Sequence, residues 1–176
     1  MKIEIGPRDE RRIGPSWVTV DIVKRAGIDI AADWTEGLPF PDRSVSILYA
    51  SHVLEHIWWH KTQDALAEAW RVLRVGGALE LHVPDLEAIL RAYQTGAIPD
   101  DWRRFNDEGD HMKWINGRLF AYDLQHDGCG HHSMFDRGYL HRCLEQAGFE
   151  DIRDGAPVRN VSKHEAIDLA MTAVKT

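Results

Sequence analysis

The sequence predicts an α/β fold built on a mostly parallel sheet, and three observations carry that expectation. Short β-type runs alternate with stretches of helical periodicity, a rhythm that implies right-handed βαβ crossovers. The run Val45 to Ala50 is nearly continuous in apolar residues, which suits a strand covered on both faces. The chain has 176 residues, 44% hydrophobic and 28% charged, enough for one domain with a sizeable core.

Taken in order, Lys2 to Ile5 reads as a first strand, ended by Gly6-Pro7. A charged loop, Arg8 to Arg12, leads to a second breaker at Gly14-Pro15. Trp17 to Val20 reads as the second strand, closing at Asp21, and Ile28 to Ala31 as the third. Leu38-Pro39-Phe40-Pro41-Asp42 is a stiff, turn-rich entry to the fourth strand. A helix is expected from near Ser51, a good N-cap residue. Another is expected over Thr62 to Val75, where Leu66, Ala69, Trp70 and Leu73 recur at helical spacing and Gly76-Gly77 stops the run. Ala78 to Val83 alternates as a strand, Asp85 to Tyr93 begins a helix, and Asp136 to Ala147 is a further helix closed by Gly148. Ala166 to Lys175 alternates as a final strand. Residues 98–133 break this rhythm, being rich in Asp, Arg, His, Trp and Gly. A long irregular stretch inside one domain is usually functional, so it is read as a lid or acceptor-binding insertion within a single domain of residues 1–176.

Composition excludes several function classes. The net charge is −7 and no long basic run occurs, so neither nucleic acid nor an anionic membrane is expected as a partner. No apolar stretch approaches the roughly 20 residues of a membrane span. The opening residues do not read as an export signal, so a cytoplasmic setting with Cys129 and Cys143 reduced is expected.

In an open parallel sheet, ligands bind beyond the carboxyl ends of the strands, where strand order reverses. The loops there begin at Gly6, Asp21, Ala32-Asp33-Trp34 and Ala50-Ser51-His52. Gly6 lets backbone approach a ligand closely. Asp21 is placed to accept hydrogen bonds from ribose hydroxyls, Asp33 to meet the exocyclic amine of adenine, and Trp34 to cover the adenine face. Together they describe an adenosine site without a phosphate cradle, because G-x-G-x-x-G and G-K-[ST] are both absent.

At this point the chain resembles the class I S-adenosylmethionine-dependent methyltransferases, in particular the methyltransferase type 11-like group. The segments that carry the resemblance are "IEIGP", "WVTVDI", "AADWTEGLPFPDRSVSILYASHVLEHI", "EAWRVLRVGGALELHVPDLEAIL" and "HHSMFDRGYLHRCLEQAGF". It implies a Rossmann-like open twisted mostly parallel sheet with helices on both faces and an antiparallel C-terminal strand. S-adenosyl-L-methionine is the cofactor it implies, with Glu4 and Gly6 beside the methionine moiety, Asp21 at the ribose, and Asp33 with Trp34 at the adenine edge. Ser51 and His52 then border the sulfonium, and His131 matches a histidine found before the family's last helix. The implied activity is methyl transfer to a small-molecule or glycan-type acceptor, with His52 or His131 available to take a proton. One departure stands out. The family pattern has G-x-G at the first loop, and this chain has Gly6-Pro7-Arg8.

Two histidine clusters raise a rival chemistry. His52-Val53-Leu54-Glu55-His56 spells H-x-x-E-H, the inverzincin order of two zinc ligands around a base, and His52, His56 and His60 would share one side of a helix. His126, Cys129, His131 and His132 form the second cluster. Neither has a paired Cys-x-x-Cys, and the transferase reading already explains the flanking elements, so no metal is expected. The two alternatives to methyl transfer are a non-catalytic methyltransferase-like binding module, motivated by the altered first loop, and a metal-dependent hydrolase.

Overall fold

The computed structural model describes residues 1–7, 13–98, 109–120, 130–158 and 166–176. Strands β1 (Lys2–Ile5), β2 (Val18–Asp21), β3 (Ile30–Ala31), β4 (Val45–Ser51), β5 (Leu73–Pro84), β6 (Glu150–Asp154) and β7 (Asp168–Val174) form one sheet, in the order β3-β2-β1-β4-β5-β7-β6. Neighbours from β3 to β5 are parallel, and β7 runs antiparallel to both β5 and β6. The helices are α1 (Thr62–Val72), α2 (Leu86–Thr95), α3 (His111–Phe120) and α4 (Arg137–Gln146). The expected α/β architecture with an antiparallel C-terminal strand is therefore present.

The pleat sorts the core. Successive strand side chains point to opposite faces, so Leu48 and Ala50 of β4 join Leu66 and Ala69 of α1 and Leu140 and Leu144 of α4 in one buried cluster. Ile47 and Tyr49, which alternate with them, pack instead with Trp17 and Ala156. The nearly continuous apolar run of β4 is thus explained by cover on both sides. The connection Leu38 to Asp42 is pinned to α1 by Arg71, whose guanidinium donates to Leu38 O, Phe40 O and the carboxylates of Glu68 and Asp42.

Four elements differ from the sequence reading. No helix starts at Ser51; two 3-10 turns, Leu54–His56 and Trp59–Lys61, take its place, with Ile57 extended between them. His52, His56 and His60 therefore do not share a helical face. The α1 helix ends at Val72, and Gly76-Gly77 lies inside β5 rather than after a helix. Their role is in the sheet. Val45 pairs with Leu73 and Ile47 with Ala78, so β5 bulges there, and a Cβ on Gly77 would meet Arg74 O at 2.8 Å and Val45 O at 3.1 Å. The edge strand β6 escaped prediction because only Ile152 among its residues is apolar. Within residues 98–133 lies α3, whose Trp114 and Ile115 pack against Ile89 of α2 and Ile167; residues 99–108 and 121–129 are outside the described ones. Among the described residues no helix is long and apolar enough to cross a membrane.

Gly77→Ala should lower stability by roughly 1–3 kcal/mol, since backbone atoms cannot move aside as a side chain can. Gly76, at φ +72° with nothing within 4 Å of a Cβ, should cost only ~1–2 kcal/mol as alanine. Urea unfolding of both variants checks the order, and equal losses would contradict the packing argument.

Candidate functional site

Chain order reverses between β1 and β4, with β2 and β3 to one side and β5 to the other. The loops leaving β1, β2 and β4 consequently gather at one edge of the sheet. Gly6 adopts φ +66° there and donates its N–H to Val20 O at 2.8 Å. A Cβ at this position would meet Val53 Cγ2 at 2.4 Å, so glycine is required for both conformation and space. The same contact shows that the loop after β1 abuts the loop after β4.

Glu4 is buried in β1, and its Oε2 accepts from Ile13 N at 3.0 Å, fastening the far end of the first loop. Arg8, the residue that departs from the family pattern, lies outside the described residues. Asp21 closes β2. Its Oδ1 accepts from Val23 N at 3.0 Å and its Oδ2 ion-pairs with Arg25 at 2.9 Å. Arg25 also donates to Pro7 O at 2.7 Å, so this guanidinium joins the first two loops. Sequence reasoning passed over Arg25, although an arginine four residues beyond a strand-end aspartate was the available signal.

Asp33 follows β3 and turns the chain, its Oδ1 accepting from Thr35 N and Thr35 Oγ1, both at 2.8 Å. Trp34 is packed into the main core at 4% exposure. A face that stacks on a base has to be open, and this ring is not.

Ser51 ends β4, opposite His82 of β5. His52 follows at φ +56°, a left-handed conformation that costs a non-glycine residue energy. Its ring lies between two carboxylates: Nδ1 donates to Glu55 Oε1 at 3.0 Å and Nε2 to Asp168 Oδ2 at 3.1 Å. Burial by itself would lower the His52 pKa. The bonds to Asp168 and Glu55, with their charges, outweigh it and push the value up to about 10. Burial acts to raise Glu55, but the His52 bond and charge hold it below the usual carboxylate range. Asp168 stays above its usual value, because burial is only partly offset by His52. Neither Glu55 nor Asp168 was among the expected site residues. Asp168 lies 116 positions away in sequence, and no local pattern announces it.

His131 is brought to the same edge. Its ring meets that of His56 edge-on, with centroids 5.0 Å apart. The Nδ1 of His131 donates to Arg118 O and that of His56 to Gly130 O, both at 3.1 Å. Burial pulls His131 down to about 4, so it is neutral near pH 7. His132 stacks on Trp58 with centroids 4.1 Å apart. His126 and Cys129 lie outside the described residues. The H-x-x-E-H ligand pair does not assemble, since both His52 nitrogens are held by carboxylates.

The fold is that of a class I methyltransferase. Residues 17–81 match the family model described as a methyltransferase domain, and the resemblance read from the sequence is thereby shown. The fold is similar across 99% of the chain to a possible histamine N-methyltransferase from Thermotoga maritima, with 19% identity, 82% of that chain covered and a TM-score of 0.61. A SAM-dependent methyltransferase from Archaeoglobus fulgidus shares 15% identity over 99% of this chain and 85% of its own, with a TM-score of 0.59. Human N-acetylserotonin methyltransferase, solved in complex with SAM, shares 15% over 99% of this chain and 47% of its own, with a TM-score of 0.54. No curated protein sequence matches. S-adenosylmethionine is the cofactor of this class.

Both histidines tie stability to pH. His52 binds its proton more tightly folded than unfolded, so its contribution is complete below about pH 6.5 and is lost as pH rises toward about 10. His131 binds its proton less tightly folded, so its presence lowers stability as pH falls from about 6.5 toward about 4. Nitrogen NMR of the imidazoles should find His52 doubly protonated at pH 8 and His131 neutral at pH 5.5. Titration of either near 6.5 would contradict the geometry.

Proposed function

We propose that the chain transfers a methyl group from S-adenosylmethionine to a small-molecule or glycan-type acceptor. The supporting observation is that Gly6, Asp21 and the Ser51-His52 turn, three strand ends expected to hold one nucleoside, meet at a single edge of the sheet. The residues fit the cofactor. The space a Gly6 side chain would take is already bounded by Val53, so only bare backbone can line the methionine end. Asp21 uses one lone pair on each oxygen for Val23 and Arg25, and a carboxylate has about four acceptor sites, which leaves capacity for ribose hydroxyls. Asp33 Oδ1 is occupied by Thr35, so its other oxygen is the one for the adenine amine. Trp34 supports that loop from within the core.

The sulfonium supplies an already activated methyl group, so alignment of the acceptor can provide most of the acceleration. Of the two histidines expected to take a proton, we assign the task to His131. With Nδ1–H on Arg118 O, the neutral ring keeps its lone pair on Nε2. A weak base suffices, because a hydroxyl acidifies as its oxygen gains the methyl group. His52, charged and held from both sides, is a positioning residue that shapes the turn after β4. The free thiol of buried Cys143 accords with a cytoplasmic setting.

A second reading, a binding module without catalysis, draws on the grip of Arg25 on Asp21 and Pro7. Calorimetry separates the two. S-adenosylmethionine and S-adenosylhomocysteine should bind with one-to-one stoichiometry, and heat-free titrations at millimolar ligand would exclude the transferase. Asp21→Ala should weaken both ligands by ~1–3 kcal/mol through lost hydrogen bonds, with unchanged affinity removing Asp21 from the ribose. His131→Ala should reduce turnover far more than cofactor affinity.

A further inference from the structure

We propose that Glu55, His56 and His131 form a binding site for one divalent first-row transition cation beside the end of β4. One ligand atom from each of the three lies within 4.8 Å of the others. Three ligands about 2.0–2.2 Å from a shared ion stand roughly 3.3–3.8 Å from one another, so closure asks for about 1–1.5 Å of movement at most.

The hydrogen bonds around the three groups leave each with one uncommitted ligand atom. His56 and His131 each commit Nδ1–H to a backbone carbonyl, Gly130 O and Arg118 O. Nε2 is therefore the ring nitrogen that each has left to bind an ion. Glu55 is 1% exposed, its Oε1 is engaged by His52, and its Oε2 has no hydrogen-bond partner among the described residues. A buried carboxylate oxygen without a partner is costly, and a cation among these lone pairs relieves it.

The surroundings are those of a prepared metal site. Imidazoles that bind metals usually donate the other ring N–H to a carbonyl or carboxylate, and bound carboxylates are themselves hydrogen-bonded. Both patterns occur here, with His52 orienting Glu55. The two ligand-bearing segments are also laced together. Glu55 O accepts from His132 N at 2.8 Å and Ser133 N at 3.1 Å, and Ser133 Oγ donates to Ile57 O. Two imidazoles and one carboxylate favour zinc, cobalt, nickel or iron over magnesium or calcium. This set differs from the H-x-x-E-H arrangement: Glu55 is a ligand rather than a base, and His131 replaces His52.

Three protein ligands leave coordination positions open. On the methyl-transfer reading, His131 would give its Nε2 to the ion instead of to a proton, and the ion would acidify a hydroxyl acceptor bound beside it; cation binding itself does not depend on that reading.

The test uses the tag-free full chain, stripped with chelator and titrated with Co²⁺ and with Zn²⁺. One equivalent of Co²⁺ should bind with visible d–d absorption, and Zn²⁺ should displace it. His56→Ala and His131→Ala, at half-buried positions, should each weaken Co²⁺ binding at least 10-fold, and Glu55→Gln should do the same if it folds. S-adenosylhomocysteine affinity should stay within threefold in His56→Ala, which separates the metal site from the cofactor site and shows that the variant is folded. Failure of the chain to bind S-adenosylhomocysteine at all would defeat the transferase reading and leave Co²⁺ titration to decide this one. No saturable Co²⁺ binding up to 1 mM, or full binding retained in His131→Ala, would overturn the proposal.

Discussion

An imidazolium held between two buried carboxylates joins the end of β4 to the start of β7, and the edge of the sheet depends on it. His52 turns the chain at a positive φ that costs a residue with a side chain on the order of 1–3 kcal/mol. Strain of that size persists only where the surroundings over-determine it. Glu55 holds the ring from the turn that follows, and Asp168 from across β5. Buried ion pairs add little net stability once desolvation is counted, yet removing one partner is expensive. The arrangement is therefore better suited to fixing a geometry than to stabilising the fold. What it fixes is the direction in which Leu54, Glu55 and His56 leave the sheet.

Polar ties elsewhere act alike. Glu4 reaches out of β1 to hold Ile13, Arg25 spans Asp21 and Pro7, and Arg71 with Glu68 holds the connection that feeds β4. Each ties a loop to a regular element through a charged group and a backbone atom, and charge-assisted bonds of this kind are stronger and more directional than neutral ones. The apolar core sets where the strands lie. These contacts set where the loops go, and the loops carry the chemistry.

Histidine takes several roles within a short distance. His52 is charged because its carboxylate partners outweigh burial, whereas His131 is neutral because burial outweighs them. Sequence treats the two as equivalent proton acceptors. Only their partners distinguish a positioning group from one that keeps a lone pair near neutral pH.

Much of the architecture was legible in the residues themselves. Continuous apolar character in β4 and helical spacing in α1 follow from burial on two faces and along a stripe, whereas β5 alternates apolar with polar residues although Glu80 and His82 are buried as well. The first two are local consequences of hydrophobic patterning. The edge strand β6 was not legible, since a mostly polar strand at a sheet margin looks like a loop. The turns after Ser51 were misread as helix because the backbone strain at His52 is sustained by Asp168, far along the chain. The strand-end positions of Gly6, Asp21, Asp33 and Ser51 could be named from sequence, because topology places strand ends at ligand sites. The partners of His52, the union of Glu55 and His56 with His131, and the burial of Trp34 were decided by tertiary structure alone. Spacing along a chain reports which residues can share a face; it does not report which distant segment packs against that face, and charge, strain and coordination all turn on that neighbour.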